Sequence, residues 1–192
     1  MLLTSYGLFK TMRFVQSINN RLARELIIDD LTKVHNRRYF YQHAKNSQHS
    51  PYVILIIDID HFKMINDEFG HDVGDEVLKF FANSASRVIR KAEFHGRFGG
   101  EEWLFVLPET EVEFAQVLFD RLSEEVAKKD VAFDLGSRQL TFSMGATQRV
   151  AVDTIKSMID RADKLLYQAK KTFLLSFLRT KKLKIGLKMQ LM

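Results

Sequence analysis

The sequence predicts an α+β fold. It reads as a sheet containing antiparallel strands, flanked by helices, in the split βαβ or ferredoxin-like pattern. Three observations predict it. An apolar run from Tyr52 to Ile57 follows Pro51 and ends in Asp58-Ile59-Asp60. Two strand-like runs, EFHGRF and EEWLFVLP, flank a Gly-Gly pair. Helical stripes separate these from one another and from a later run, RQLTFSMGATQRV. The order is strand, helix, strand-hairpin-strand, helix, strand, helix.

Each element has a local reason. Residues 1–28 lack Pro, and lack Gly after Gly7. Leu8, Met12, Val15, Leu22 and Leu26 fall at alternating steps of three and four, with Asn19 in the interrupted slot. This is a helix, either a short parallel coiled coil with a polar register residue or an amphipathic helix lying on its own domain. In DDLTKVHNRRYFYQHA, Asp30 is placed to cap a helix carrying Val34, Tyr39 and Phe40. The Tyr52–Ile57 run is too apolar to alternate, so it is a strand buried on both faces. Residues 74–92 carry Val77, Leu78, Phe81, Ala85, Val88 and Ile89 on a helical stripe. Gly99-Gly100 between two strands signals a two-residue hairpin. VEFAQVLFDRLSEEVAKK and DTIKSMIDRADKLLYQAKK are two further helices, the second capped.

At 192 residues with 46% hydrophobic content, the chain has room for one domain of about 150 residues with flanks. It contains no Cys, which excludes disulfides and thiolate metal sites and is compatible with a reducing cytoplasm. The net charge of +5 does not mark a nucleic-acid binder. Seven basic residues and no acid lie from Lys170 onward, namely Lys170, Lys171, Arg179, Lys181, Lys182, Lys184 and Lys188, and the remainder is slightly acidic. No apolar run approaches the ~20 residues of a membrane span.

The chemistry gathers at strand ends. A buried strand closing on Asp58 puts a carboxylate at a sheet edge, where open α/β sheets bind ligands. If the hairpin strand pairs beside it, Glu101 and Glu102 come near Asp58. Alternation then sets Glu101 on the face of Trp103 and Phe105, with Glu102 on the other. Hard oxygen ligands of this kind suit Mg²⁺, which keeps places for water and substrate phosphate. Such carboxylates are the equipment of nucleotidyl transfer, although acids after strands are also common as solvated turns. Backbone N–H groups after Asp60 are suited to open a short helix on a phosphate, with Lys63 adding a point charge. Asn66 and Asp75 offer a donor and an acceptor that match guanine's Watson–Crick edge, whereas adenine would face the carboxylate with an acceptor. Ordinary helix caps are the competing explanation for this acidic stretch.

Five stretches, DDLTKVHNRR, DIDHFKMINDEFGHDVGDEVL, RFGGEEW, TFSMGA and ADKLLYQAKK, resemble the GGDEF family of diguanylate cyclases in order and spacing. The resemblance covers roughly residues 29 to 171, between an N-terminal linker helix (1–28) and a basic, apolar tail (172–192). It implies a palm-type fold and the condensation of two GTP into cyclic di-GMP with release of pyrophosphate. It implies Mg²⁺, or Mn²⁺ in its place, on Asp58, Glu101 and the Ile59 carbonyl. Either Glu101 or Glu102 would activate the ribose 3′-hydroxyl. Asn66 and Asp75 match the guanine readers, and His71 lies near base and ribose. Phe62, Lys63 and Lys170 match phosphate contacts, with Lys63 stabilising transition-state charge. Gly99 and Gly100 would let the backbone approach the nucleotide. The family further implies a homodimer with two domains face to face, and an N-terminal helix that links an upstream sensor. A cytoplasmic location follows, with any tether lying in an upstream membrane or sensor region outside this chain. The alternative is a catalytically silent module that binds GTP or cyclic di-GMP; an adenine-specific cyclase is disfavoured by Asn66 with Asp75.

Four departures stand out. Trp103 replaces the usual Phe. Lys33 stands where the family has Gly; if that residue has positive φ, Lys costs roughly 1 kcal/mol. The family's inhibitory Arg-x-x-Asp reads Arg90-Lys91-Ala92-Glu93, with Arg121 where a second arginine assists. Arg90 retains bidentate pairing with a guanine, whereas Glu93 adds a methylene, and a solvated, charged helix end is the competing reading of this stretch. After Lys170 the expected Arg four residues on is Leu174. That implies a lost phosphate contact and an edge strand replaced by helix or by a disordered basic tail, one able to meet an acidic membrane surface.

Overall fold

A computed structural model describes residues 10, 12–16, 27–43, 52–128, 135–136, 138–179 and 189–191, with backbone alone for 172–179 and 189–191. In chain order its elements are β1 (His35–Asn36), α1 (Arg37–His43), β2 (Tyr52–Ile59), α2 (Phe62–Phe69), α3 (His71–Val88), β3 (Phe94–Gly99), β4 (Glu102–Pro108), a 3₁₀ turn (Val112–Phe114), α4 (Ala115–Val126), β5 (Phe142–Gln148), α5 (Ile155–Arg179) and β6 (Met189–Leu191). One sheet runs β1-β3-β4-β2-β5-β6. Its inner pairings are antiparallel, and the short edge strands β1 and β6 pair in parallel. The α+β expectation holds.

The apolar run dictates the layering. Every residue of β2 is buried, because β4 and β5 take its two edges and helices cover both faces. Val53, Leu55, Ile57 and Ile59 face a core shared with Phe81 of α3 and Leu122 of α4. Ile54 and Ile56 face the other way, onto Phe40 of α1 and Met158 and Ala162 of α5. At about 25 cal/mol per Å² of apolar surface, strands buried on both faces are the largest stabilising term here. Close packing of α5 requires Gly145, since a Cβ there would meet the Ala162 carbonyl oxygen at 2.1 Å. The cap of α5 is reciprocal, as its sequence implies: the Ser157 N–H donates to Thr154 Oγ1 at 3.1 Å and the Thr154 N–H to Ser157 Oγ at 3.0 Å.

Four expectations are corrected. Asp30 does not cap α1. Asn36 does, accepting from the Arg38 N–H at 3.0 Å, while Asp29 closes the preceding turn through the Thr32 N–H and hydroxyl. The hairpin turn is Gly100-Glu101 rather than Gly99-Gly100: a register shift after Arg97 pairs Gly99 with Glu102. Glu101 therefore lies in the turn and not on the Trp103 face of a strand. At the C-terminal side, α5 continues past Lys171 to Arg179, in line with the helix alternative for the tail, but the edge strand is not lost: a three-residue strand, β6, pairs with β5.

Of the N-terminal stretch, residues 12–16 are helical, with Met12, Phe14 and Val15 exposed. The positions Leu8, Asn19, Leu22 and Leu26 of the expected seam lie outside the described residues. Among the described residues no helix is long and apolar enough to cross a membrane.

Trp103 is fully buried against Phe81, with ring centroids 5.0 Å apart, but its indole N–H finds no hydrogen-bond partner among the described groups. The larger aromatic is accommodated at the cost of an orphaned donor. Lys33 has φ 59°, the left-handed conformation in which a side chain is strained, and its N–H donates to the Asp29 carbonyl at 2.9 Å. Lys33→Gly should therefore raise stability by up to about 1 kcal/mol. Urea unfolding checks this: a higher midpoint at unchanged slope is expected, and an unchanged or lower midpoint would show that the turn carries no strain.

Candidate active site

Sheet register brings the acids together. Asp58, next to last in β2, lies directly opposite Glu102, the first residue of β4. Opposite residues of an antiparallel pair share a face, so both carboxylates belong to the α5 side. Glu101 precedes Glu102 in the turn, and its carbonyl accepts from the Ile59 N–H at 3.3 Å. The hairpin tip is tied from behind. Arg97 Nε donates to the Gly100 carbonyl at 2.9 Å, and its guanidinium meets Asp29 at 3.4 Å. Burial raises the Asp29 carboxyl, but bonds from Thr32 and the charge of Arg97 outweigh it and hold the group below its usual value.

The electrostatics are those of an acid cluster under pressure. Asp58 is 7% exposed. Burial pushes its carboxyl up from 3.8 to about 6, with Glu101 and Glu102 adding to the rise. Lys170 opposes this, its Nζ standing 2.8 Å from Asp58 Oδ1. Glu102 is also raised, first by burial, then by Asp163, against the pull of Lys170 and Arg37. Lys170, expected at phosphate, has its ammonium on the Asp58 carboxylate in this structure.

The second cluster lies on α2 and α3. His61, at φ 59°, turns the chain from β2 into α2. Phe62 is buried, Lys63 exposed and Asn66 half-buried. Gly70, at φ 89°, separates the helices, and His71 and Asp75 stand exposed on the first turns of α3. Asn66 abuts Gly74, so the amide and the Asp75 carboxylate share one end of the helix pair. The third cluster is separate: Arg90, Glu93 and Arg121 line one depression with Thr110 and Phe114. Glu93 is turned inward, and its carboxylate accepts from the Arg90 N–H at 2.7 Å, while the Arg90 side chain is 61% exposed.

A cavity of about 450 Å³ opens beside the hairpin turn, among Asp29, Asn36, Arg37, Arg38, Arg97 and Phe98. Of the expected substrate residues, only Gly99 and Gly100 line it. A Cβ at Gly99 would touch only Glu102 Oε2, at 3.5 Å, so the fold itself leaves that position open.

The acids fit a hard divalent ion. They supply oxygen only, and their mutual repulsion is offset within the chain by Lys170 and, at Glu102, by Arg37 as well. Among the described residues no three His, Asp or Glu side chains form a cage by themselves. An ion here would draw its remaining ligands from backbone carbonyl, water and phosphate, the habit of Mg²⁺.

Three contributors escaped the sequence reading. Asp163 was legible in principle, since it precedes Lys170 by seven residues, two helical turns, and so shares its face of α5. Arg97 and Asp29 are 68 residues apart, and only the fold brings them together.

The family model for "Diguanylate cyclase, GGDEF domain" matches residues 26–173. The chain belongs to the GGDEF family. Among curated GGDEF relatives, the probable diguanylate cyclase DgcT of Escherichia coli is 35% identical over 86% of this chain and 36% of its own length. Response regulator PleD of Caulobacter vibrioides is 35% identical over 82% and 37%. The chain thus spans little more than a third of these relatives. The coiled coil and GGDEF domain of DgcB from Caulobacter crescentus, solved with c-di-GMP, superposes with TM-score 0.73 at 26% identity, covering 88% of this chain and 94% of that one. An active GGEEF domain from Vibrio cholerae gives TM-score 0.63 at 35% identity, over 71% and 91%.

The raised Asp58 carboxyl makes a pH prediction for this GGDEF domain. Between 3.8 and about 6 the folded chain holds a proton that the unfolded chain releases, so stability falls as pH rises through that window and stays low above it. The shift corresponds to about 3 kcal/mol. Asp58→Asn should raise Tm by several degrees at pH 7.5 in divalent-free buffer and leave it nearly unchanged at pH 4. Equal Tm values at pH 7.5 would show that Asp58 bears no buried charge.

Proposed function

We propose that this chain is a diguanylate cyclase, joining two GTP into cyclic di-GMP with release of two pyrophosphates. The observation that carries the proposal is the register that sets Asp58 opposite Glu102 at the hairpin tip. Family membership and the names of the relatives support it. Within this reading residues 29–171 are the cyclase domain, residues 1–28 the helix that couples it to an upstream sensor, and residues 172–192 a basic tail. The domain works in the cytoplasm, where GTP is available.

Asn66 and Asp75 bind guanine, with His71 beside base and ribose. Phe62, Lys63 and the N-terminus of α2 hold the phosphates. Asp58, Glu101 and the Ile59 carbonyl would hold Mg²⁺, which supplies charge stabilisation at the phosphates when bound. Glu101 or Glu102 takes the proton of the ribose 3′-hydroxyl. That oxygen bonds to the α-phosphorus of the GTP on the facing domain, and the bond from phosphorus to pyrophosphate breaks. Burial and Asp163 raise the Glu102 carboxyl above its ordinary value, which makes it a better proton acceptor than a solvated glutamate. Lys170 moves between carboxylate and phosphate as the site fills. Arg90, with Arg121 and Glu93, is the product-feedback site.

One observation favours the second reading, a silent module that binds GTP or cyclic di-GMP: α5 runs on to Arg179 with Leu174 where the family carries Arg. Incubation of the purified chain with GTP and Mg²⁺, followed by chromatography for cyclic di-GMP, separates the two; nucleotide binding without product would select the silent module. Glu101→Gln should reduce turnover at least 100-fold with Tm maintained, and retention of turnover would remove Glu101 from the ion. Because two domains must meet, the specific rate should rise with protein concentration; a specific rate that is constant across all dilutions excludes the facing-domain scheme. Arg90→Ala should relieve inhibition by added cyclic di-GMP, and inhibition that persists unchanged would place feedback elsewhere.

A further inference from the structure

Gly74 lies in the first turns of α3, and nothing about the backbone requires glycine there. Its φ is outside the left-handed region, since among the described glycines only Gly70, Gly100 and Gly136 have positive φ. Glycine is the least favourable helix residue after proline, so its presence costs stability. Neighbouring backbone does not require it either. At Gly96 and Gly145 a Cβ would meet backbone oxygen at 2.1 Å, of His35 and Ala162 respectively, and these two serve the fold. At Gly74 the atoms met are all side chain: Asn66 Oδ1 at 1.9 Å, Asn66 Cγ at 3.0 Å and Phe62 Cζ at 3.4 Å.

The Asn66 carboxamide thus occupies the volume that any other residue at 74 would fill. Among the described residues no hydrogen bond holds this amide, so its fit against the bare Cα of Gly74 is what sets its direction. The next residue, Asp75, carries the carboxylate that pairs with the amide in base recognition.

We propose that Gly74 is the positioning residue for nucleobase selectivity, seating the Asn66 carboxamide beside Asp75 so that both present to guanine together. The inference rests on the guanine reading of Asn66 and Asp75 given above. An alanine at 74 does not break the fold, because the group displaced is the free end of a side chain. It turns the amide away from the base, and the hydrogen bond it makes there is lost.

The test is binding of 3′-deoxy-GTP, which lacks the hydroxyl needed for condensation, measured by calorimetry with Mg²⁺. Wild type, Gly74→Ala, Asn66→Ala and the double variant are compared, together with 3′-deoxy-ATP. Gly74→Ala should weaken binding of the guanine analogue about tenfold and narrow its preference over the adenine analogue, while Tm stays level or rises. The double variant should bind no more weakly than Asn66→Ala alone, because glycine acts only through the amide. If Gly74→Ala lowers Tm instead, the Asn66→Ala background decides: with the amide gone, alanine at 74 should be tolerated there, and an equal loss of Tm would overturn the contact. Wild type that binds the guanine analogue with Gly74→Ala unchanged overturns this inference and leaves the cyclase reading intact. Wild type that binds neither analogue overturns both.

Discussion

The molecule depends on one constraint: a carboxylate placed at the end of a strand that has no exposed face. β2 is apolar because β4, β5 and two helical layers leave it no water. Asp58 inherits that environment, and antiparallel register supplies Glu102 opposite it. The two strand pairings that bury β2 most completely also fix where the charge lies. A one-residue slip would send Asp58 to the opposite face and the aliphatic set with it, so the core protects the geometry of the site.

The surroundings of that charge keep it tolerable without relieving it. Lys170 offers a counter-charge, but its side chain is 40% exposed and bears three donors on a flexible stem, so it can leave for a stronger anion. Asp163 works in the opposite sense by raising Glu102. The result is a cluster in which buried charge is costly, and in our proposal a bound cation offsets that cost. Arg97 secures the hairpin from the far side, through Gly100 and Asp29, without entering the acid cluster.

The glycines divide along the same line between fold and function. Gly96 and Gly145 admit neighbouring backbone, whereas Gly99 meets only the Glu102 carboxylate at ordinary contact distance and Gly74 a side chain that reads the base in our proposal. Trp103 is the converse case, a residue that satisfies volume and leaves its N–H unpaired. Strain at Lys33 and the orphaned indole are each small against the burial of the sheet.

Much of this was legible in the sequence, and the remainder had physical reasons for staying hidden. Continuous hydrophobicity from Tyr52 to Ile57 determined a strand buried on both faces, and the helical stripes determined what covers it. Residue type in order marked Asp58, Glu101, Glu102, Asn66 and Asp75 as the candidate chemical positions. The turn at Gly100-Glu101 was misplaced by one residue because a bulge after Arg97 is set by pairing with β4, which composition does not record. Asp30 lost the cap to Asn36 because a turn closed by Asp29, followed by β1, separates it from α1, and β6 pairs along the edge of β5. The sequence by itself determined which groups carry charge and which segments must be dry. The tertiary structure alone decided which charges meet, Lys170 with Asp58 and Arg97 with Asp29, because electrostatic partners are selected by distance in space, and only packing sets that distance.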